Sequence, residues 1–596
     1  MRIDGKPEGI RQSMSWLHTW TGIALGWLLY AVFFTGTLSY FLDEINLWMK
    51  PELHASVSAA SNAQTAQVAL AGMQKLAPNA NVWTLELPNE RQNTVAASWR
   101  DKGQPMTGRA GVKRAELDAA TGEQIKPRET RGGQFLYRFH FELHSMPRNL
   151  ARWIVGIATM FMFVAIISGV ITHKKIFTDF FTFRPKKGQR SWLDAHNATA
   201  VLALPFHVMI TFSGLLLLMG TLMPWGADVA YDGNTQAYNM ARRGLAPPPG
   251  AQQQGAQREG SQREGARGDS MQRGGATEGA REGRGNREGR EGRGREGGEG
   301  RGGQRDGAAL TQVDLSAAIG PMLAQARAEW PQREVGRIVV NRPNQPGATV
   351  ELRAHGSDSL TTRGASERIV FDAATGKVEE RPPLPEPSAA SAVNNVFAAT
   401  HMGRFAGPAL RWLLFLSGVA GTAMIATGLV LWVVKRLPER RKLGRTPFGH
   451  RLVESTNIAV ITGLALATAA YFWLNRLLPA DLAGRADWEI NGFFLVWLAT
   501  LVHAAVRTPR AAWLEQCVAV TVLFALLPLL NPLTGGNGLF ASIAHGQSGL
   551  VGFDLAMLAI AALFAVIARH IVRKGQVGAK PGRAAAGIDP IGKALP

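Results

Sequence analysis

WLDAHNATAVLALPFHVMITFSGLLLL, residues Trp192 to Leu218, is an apolar segment with His196 at its mouth, His207 well inside and Pro205 between them. Its length suits a helix crossing a bilayer. Ionisable side chains inside a span are costly and mark function by default, and neutral imidazole is the commonest metal ligand among side chains. The two histidines are eleven residues apart, about 16 Å of helical rise, so they cannot serve one metal from one helix.

Outward from that segment, the 596-residue chain gathers its apolar residues into eight runs, at about 16–42, 150–173, 197–223, 409–434, 455–478, 490–506, 513–531 and 547–570. The chain reads as a polytopic α-helical membrane protein. The first run is too long for a signal-peptide core and lacks a small-residue cleavage site before Asp43 and Glu44, so it reads as an uncleaved span. Lys and Arg crowd the N-terminus (Arg2, Lys6, Arg11), the second connection (Lys174 to Arg190) and the fourth (Lys435 to Arg445), which places those segments in the cytoplasm. Segments 44–147 and 224–400 then lie outside, in the periplasm of an inner-membrane protein. The formal charge of +20 is explained by this topology and by one low-complexity tract, without nucleic acid as a partner. The sole cysteine, Cys517, excludes a disulfide within the chain.

The tract, residues 248–307, is almost wholly Gly, Arg, Glu and Gln and is expected to be disordered, because it has too little apolar surface to offset chain entropy. The outside segments resemble each other on either side of it. Each has a helical stretch (Ala63 to Leu76; Leu315 to Glu329) and alternating strands (VWTLELP and NTVAASW; GRIVVNR and ATVELRA). Each then has an Asp-Ala-Ala-Thr-Gly turn, at Asp118 to Gly122 and Asp372 to Gly376. Gly supplies the positive φ that such a turn needs. The flanking spans repeat too, each with a histidine near its entrance and a Ser/Thr-Gly pair near its exit. His18 goes with Thr35-Gly36, His144 with Ser168-Gly169, His196 with Ser213-Gly214, and His401 with Thr427-Gly428. "Span, outside module, span" thus occurs twice in one orientation, a parallel repeat about the membrane normal. His18 and His196 become symmetry mates toward the cytoplasm, and His144 and His401 toward the outside.

Two imidazoles from facing helices at equal depth are what a six-coordinate b-type haem needs. Small residues such as Gly22, Gly26, Gly156, Gly214, Gly418 and Gly421 let a macrocycle or a neighbouring backbone approach, and packing alone explains each singly. His173 and His207 have no symmetry mate; they are either alternative ligands or part of an electron path. His140, His503, His545 and His570 read as interfacial or capping residues, and His54 and His355 as surface residues of the modules. Arg148, Arg152, Arg404 and Arg411, at the outer entrances of the second and fourth spans, are candidates for contacts to an anionic substrate or to haem propionates, with interfacial anchoring as the plain alternative.

Trp16-Leu17-His18-x-Trp20-x-Gly22, Leu143-His144, the run from His173-Lys174-Lys175 through Arg184-Pro185 to Asp194-x-His196, Leu204-Pro205-Phe206-His207 and His401-x-Gly403 together resemble the PepSY-associated transmembrane helix family over roughly residues 10–436. The outside modules resemble PepSY domains. The resemblance, which extends to bacterial ferric-siderophore reductases such as the ferrioxamine reductase, implies the following fold and activity. The fold is a duplicated four-helix haem-binding bundle with two small α+β periplasmic modules and four additional C-terminal transmembrane helices. The activity is an oxidoreductase with two haem b groups, held by histidines from the set His18, His144, His173, His196, His207 and His401, that reduces a periplasmic ferric siderophore and releases Fe(II). The chain has no dinucleotide fingerprint after Arg436, so electrons are expected from a quinol or a separate cytoplasmic donor rather than from flavin or nicotinamide bound here. The expected divisions are 1–43 (N-terminus and first span), 44–147 (first module), 148–173, 174–195 (cytoplasmic loop), 196–223, 224–400 (second module), 401–436, 437–454 (cytoplasmic loop), 455–572 (spans five to eight) and 573–596 (cytoplasmic tail). The competing functions are a membrane-anchored PepSY module that binds or regulates a periplasmic partner, and a proton or metal transporter.

Overall fold

The computed structural model describes residues 9–56, 61–104, 110–173, 176–179, 183–242, 314–356, 359–362 and 365–578; the tract expected to be disordered and most of the cytoplasmic tail lie outside them. Eight helices are long and apolar enough to cross a membrane, and the chain is a multi-pass inner-membrane protein with periplasmic modules.

The first half of the repeat runs from α1 (Ile10–Leu38) and α2 (Leu42–Trp48) through α3 (Asn62–Leu76) to strands β1 (Ala80–Glu86), β2 (Val95–Asp101), β3 (Val112–Leu117) and β4 (Gln124–Ile125). It closes with α4 (Gly133–Glu142) and α5 (Arg148–Thr172). The second half opens with α6 (Gln189–Leu202) and α7 (Leu204–Leu222), continues through α8 (Leu315–Glu329), β5 (Val335–Asn341), β6 (Thr349–Ala354), β7 (Arg368–Asp372) and β8 (Val378–Glu380), and ends with α9 (Ala389–Met402) and α10 (Pro408–Lys442). The expected third span is two helices, because Pro205 has no N–H to continue the ladder across Ala203, which takes φ −114 and ψ 22. Helices α1, α5, α6/α7 and α10 pack in a closed ring, each against the next.

The two modules do not stand apart. Strand β1 pairs antiparallel with β5, Thr84 opposite Val339, so eight strands form one sheet in the order β4-β3-β2-β1-β5-β6-β7-β8. One face, with Trp83, Leu85, Val95, Ile338, Val340, Leu352 and Phe371, is buried under α3 and α8. Fully burying a large apolar side chain stabilises by roughly 1.5–3 kcal/mol, so this shared core welds the modules together. Alternation puts Glu116 on the other face, and Lys50, two residues beyond α2, reaches it at 3.5 Å. That polar face is therefore turned toward the membrane. The two Asp-Ala-Ala-Thr-Gly turns are the same structure: Asp118 Oδ1 accepts from Ala120 N, Thr121 N and Thr121 Oγ1, and Asp372 Oδ1 from Ala374 N, Thr375 N and Thr375 Oγ1. The Thr375 hydroxyl and N–H hold the Asp372 carboxyl below its ordinary pKa. Gly122 and Gly376 take φ +71 and +69.

Four further spans follow: α11 (Phe448–Leu477), α12 (Arg485–Val506), α13 (Pro509–Leu533) and α14 (Ser548–Gly578). Helix α11 is the most enclosed span, because it packs on α12 and α13 within its own group and on α1 and α10 of the repeat.

Candidate functional site: two facing histidine pairs

Four histidines are held in one way. His18 Nδ1 donates to Ala165 O at 2.9 Å, His196 Nδ1 to Met424 O at 2.8 Å and His140 Nδ1 to Val32 O at 2.7 Å. His401 Nδ1 donates to Ser213 Oγ at 2.8 Å and reaches the Ile210 carbonyl. In every case the carbonyl belongs to the residue three before a Ser or Thr that is followed by Gly. The hydroxyl of that Ser or Thr bonds the same carbonyl: Ser168 to Ala165, Thr427 to Met424, Thr35 to Val32 and Ser213 to Ile210. The glycine lets the ring lie against the helix. A Cβ at Gly169 would stand 3.2 Å from His18 Cε1, at Gly428 3.1 Å from His196 Cε1, at Gly214 3.3 Å from His401 Cε1 and at Gly36 2.6 Å from His140. The Ser/Thr-Gly pair on a span therefore cradles a histidine from the neighbouring helix, not the one at its own entrance.

A carbonyl only accepts, so the proton of each carbonyl-bonded imidazole sits on Nδ1 and leaves Nε2 as the nitrogen available to a metal. The rings then meet in twos. His18 and His196 have centroids 6.1 Å apart, and His140 and His401 6.0 Å apart. Two metal–nitrogen bonds of about 2 Å each, plus about 1 Å from each nitrogen to its ring centre, span about 6 Å, which matches both pairs. Among the described residues there is no group of three or more His, Cys, Asp or Glu that could hold a metal ion. A metal between either pair would need its remaining ligands from a group bound with it, as a porphyrin provides. The donors, their spacing and the glycine cradles fit such a group.

The structure brings His18 and His196 together, and the ring that meets His401 is that of His140, not the expected His144. His144 lies past the end of α4, beyond Leu143 at φ +53, and its ring stacks on Phe494 at 5.3 Å. The spacing to Ser168 is two residues too long for His140 and two too short for His144 when set against His401 and Thr427. Spacing therefore could not choose between them. The signal that could is the buried helical stripe Phe135, Leu136 and Phe139, whose face continues to His140.

His173 caps α5, and its Nε2 meets the side chain of Asn197, the residue after His196, at 2.9 Å. His207 is buried, reaches the Ala200 carbonyl freed by the helix break, and leaves Nε2 without a hydrogen bond. It faces Gly421 and Phe33 and is close enough to His196 for the two imidazoles to act on each other. Of the arginines, Arg148 and Arg152 both pair with Glu142, and Arg411 pairs with Glu44 and the Ala406 carbonyl. Arg404 lies near Asp43. Three of the four thus have their charge met within the protein. The other small residues pack ordinarily: Gly26 against Leu429, Gly156 against Leu222 and Gly418 against Thr37.

Residues 15–435 match the family described as the PepSY-associated TM region. No curated protein is similar enough to match the chain.

Proposed function

The chain belongs to the PepSY-associated transmembrane family, and from that membership and the paired imidazoles we propose that it carries electrons across the inner membrane on two b-type haems. The acceptor is a ferric siderophore, or a ferric chelate of that class, on the periplasmic side. The observation that carries this reading is the repeated pair of facing histidines, each fixed through Nδ1 on a neighbouring helix. In this reading His18 and His196 hold the inner haem and His140 and His401 the outer one. When bound, haem supplies reversible one-electron iron chemistry. The protein's part is to orient the imidazoles: each Nδ1–H bond to a carbonyl or hydroxyl fixes the ring and raises the basicity of Nε2. The outer pair lies at the mouths of α4 and α9, on the membrane side of the sheet, where an acceptor enters from the periplasm. Ferric iron reduced there is held less tightly by hard oxygen ligands and is released. The electrons come from a quinol or a separate cytoplasmic donor.

The test is an absorption spectrum of the purified protein, oxidised and then reduced, after expression with adequate haem. A Soret band with sharp reduced α and β bands is expected, and its absence sinks the proposal. His18→Ala and His196→Ala should each abolish one haem signal, and His140→Ala and His401→Ala the other, while His144→Ala leaves both.

A second reading, the binding or regulation of a periplasmic partner, is favoured by the fused sheet, which ends in strands of only two and three residues at β4 and β8 and presents α3 and α8 outward. A haem-free spectrum together with retention of a partner on the sheet would select it.

A further inference from the structure

The C-terminal spans hold a second polar site that makes no use of the histidines. Asp554 on α14 is 0% exposed, and neither carboxylate oxygen has a hydrogen-bond partner. Beside it is Arg476 of α11, close enough for the two charges to act on each other. Arg476 gives Nη2 to the Trp48 carbonyl and to Asn531 Oδ1, but its Nε and Nη1 are buried without partners. The Trp48 ring lies under that guanidinium at 4.2 Å and stacks on Phe553 at 4.6 Å. Its indole N–H approaches Asp554 without closing a hydrogen bond.

Five buried polar atoms on three residues are therefore unmet. A buried polar atom left without a partner is costly, and more so when charged, so the cluster would be strongly destabilising if dry. The network alongside it shows what a closed one looks like. Arg485 and Glu489, both 0% exposed, bond each other, and Arg485 also serves the carbonyls of Glu129, Asn475 and Pro479. Glu489 takes the Thr130 hydroxyl and the Asn475 amide.

The unmet atoms are three donors and two acceptors. A cation is opposed by Arg476 and the indole N–H, an anion by Asp554, and an apolar guest satisfies none of them. The ligand has to donate and accept at once and be small. We propose that Asp554, Arg476 and Trp48 enclose an internal water site of about two molecules, each making about three hydrogen bonds, at the joint between the repeat and the C-terminal spans. Glu52 Oε2, also buried and unpartnered, lies on the same neck of chain four residues beyond Trp48 and marks the periplasmic side from which the water exchanges.

An X-ray pulse makes hydroxyl radicals from bound water in place, and indole is among the side chains they oxidise fastest. Trp83 is the internal control: it too is 0% exposed, but it sits in the dry sheet core with its N–H on the Ala77 carbonyl at 2.9 Å. In the full-length protein Trp48 should be oxidised several-fold faster than Trp83, and Asp554→Leu should bring it down to the Trp83 rate. Equal, slow oxidation of both tryptophans in the unaltered protein overturns the proposal and means that Asp554 and Arg476 meet directly in a dry site. The comparison within the unaltered protein decides even where Asp554→Leu does not fold.

Discussion

Helices α4 and α9 do the same work in the two halves of the repeat, each presenting one histidine of the outer pair, yet they are held by different means. The chain entering α4 is clamped from outside the repeat: Glu489 takes the Thr130 hydroxyl, Arg485 the Glu129 carbonyl, and the Tyr471 hydroxyl donates to the Gly132 carbonyl at 3.0 Å. Helix α9 is held mainly by its own half, with one bond from the other, the Tyr40 hydroxyl donating to the His401 carbonyl at 3.4 Å. Ser388 caps it, Ser391 bonds the Ala241 carbonyl, and Asn395 bonds the Thr361 carbonyl. Duplication supplied two equivalent positions, and the added spans α11 to α14 became the support for one of them. The clamp on α4 depends most on Glu489. Glu489→Leu leaves Arg485 a buried, unpaired charge and should destabilise the protein by roughly 3–5 kcal/mol, seen as a lower midpoint of thermal denaturation. The environment of His140 should change, and that of the inner pair should not.

The neck that leads to the first module carries the next largest effect. His54 donates from Nε2 to the Leu47 carbonyl at 2.9 Å and accepts at Nδ1 from Asn537 N–H at 3.1 Å, so the loop before α14 is bonded to the neutral ring. Burial, partly opposed by the Leu47 carbonyl and reinforced by Arg476, lowers its pKa to about 4. Because the folded pKa lies below the unfolded value, this stability is complete above about pH 6.5 and is lost as pH falls from there toward 4, by at most about 3 kcal/mol. His54→Gln should flatten the pH dependence of the melting temperature across that window. The cradles come next. A Cβ at Gly36 would stand 2.6 Å from His140, against 3.1 Å for Gly428 and His196. Gly36→Ala should therefore cost about 1–3 kcal/mol of overpacking, and Gly428→Ala less, with the outer pair disturbed by the first and the inner by the second.

Much of this was legible in the chain because the physics is local. Spans follow from apolar runs, α3 and α8 form where helical stretches are expected near 63–76 and 315–329, and the paired Asp-Ala-Ala-Thr-Gly turns show that the outside modules are copies. The inner pair was legible because His18 and His196 stand at the same spacing, 18 residues, before Gly36 and Gly214. The outer pair was not, since His140 and His144 compete at nearly equal spacing and only the helical face of α4 separates them. The fusion of the modules was hidden for a different reason. Strands β1 and β5 are more than 200 residues apart, and pairing between such distant segments leaves no mark in either one's alternation. The break in the third span had a signal, Pro205, but the apolar run passes through it unchanged.

The smallest expected effect is at the start of α9. If α9 depends on its own half for support, its N-terminus has to be stabilised locally, and Ser388 provides that by accepting from Ser391 N at 3.3 Å and meeting Ser391 Oγ at 3.0 Å. Ser388→Ala removes the acceptor for an otherwise unsatisfied backbone N–H and should cost about 1 kcal/mol. Gly132, the residue before α4, offers no side-chain cap; Asn46 Oδ1 accepts from Gly133 N–H, and the clamp at Glu129 to Gly132 supplies the rest. Hydrogen exchange on both helices distinguishes the two supports. Ser388→Ala should speed exchange in the first turn of α9 and leave α4 unchanged, whereas Tyr471→Phe, which removes one clamp bond, should do the reverse. Matched loss of protection in both helices from either substitution would show that the two halves share a single support.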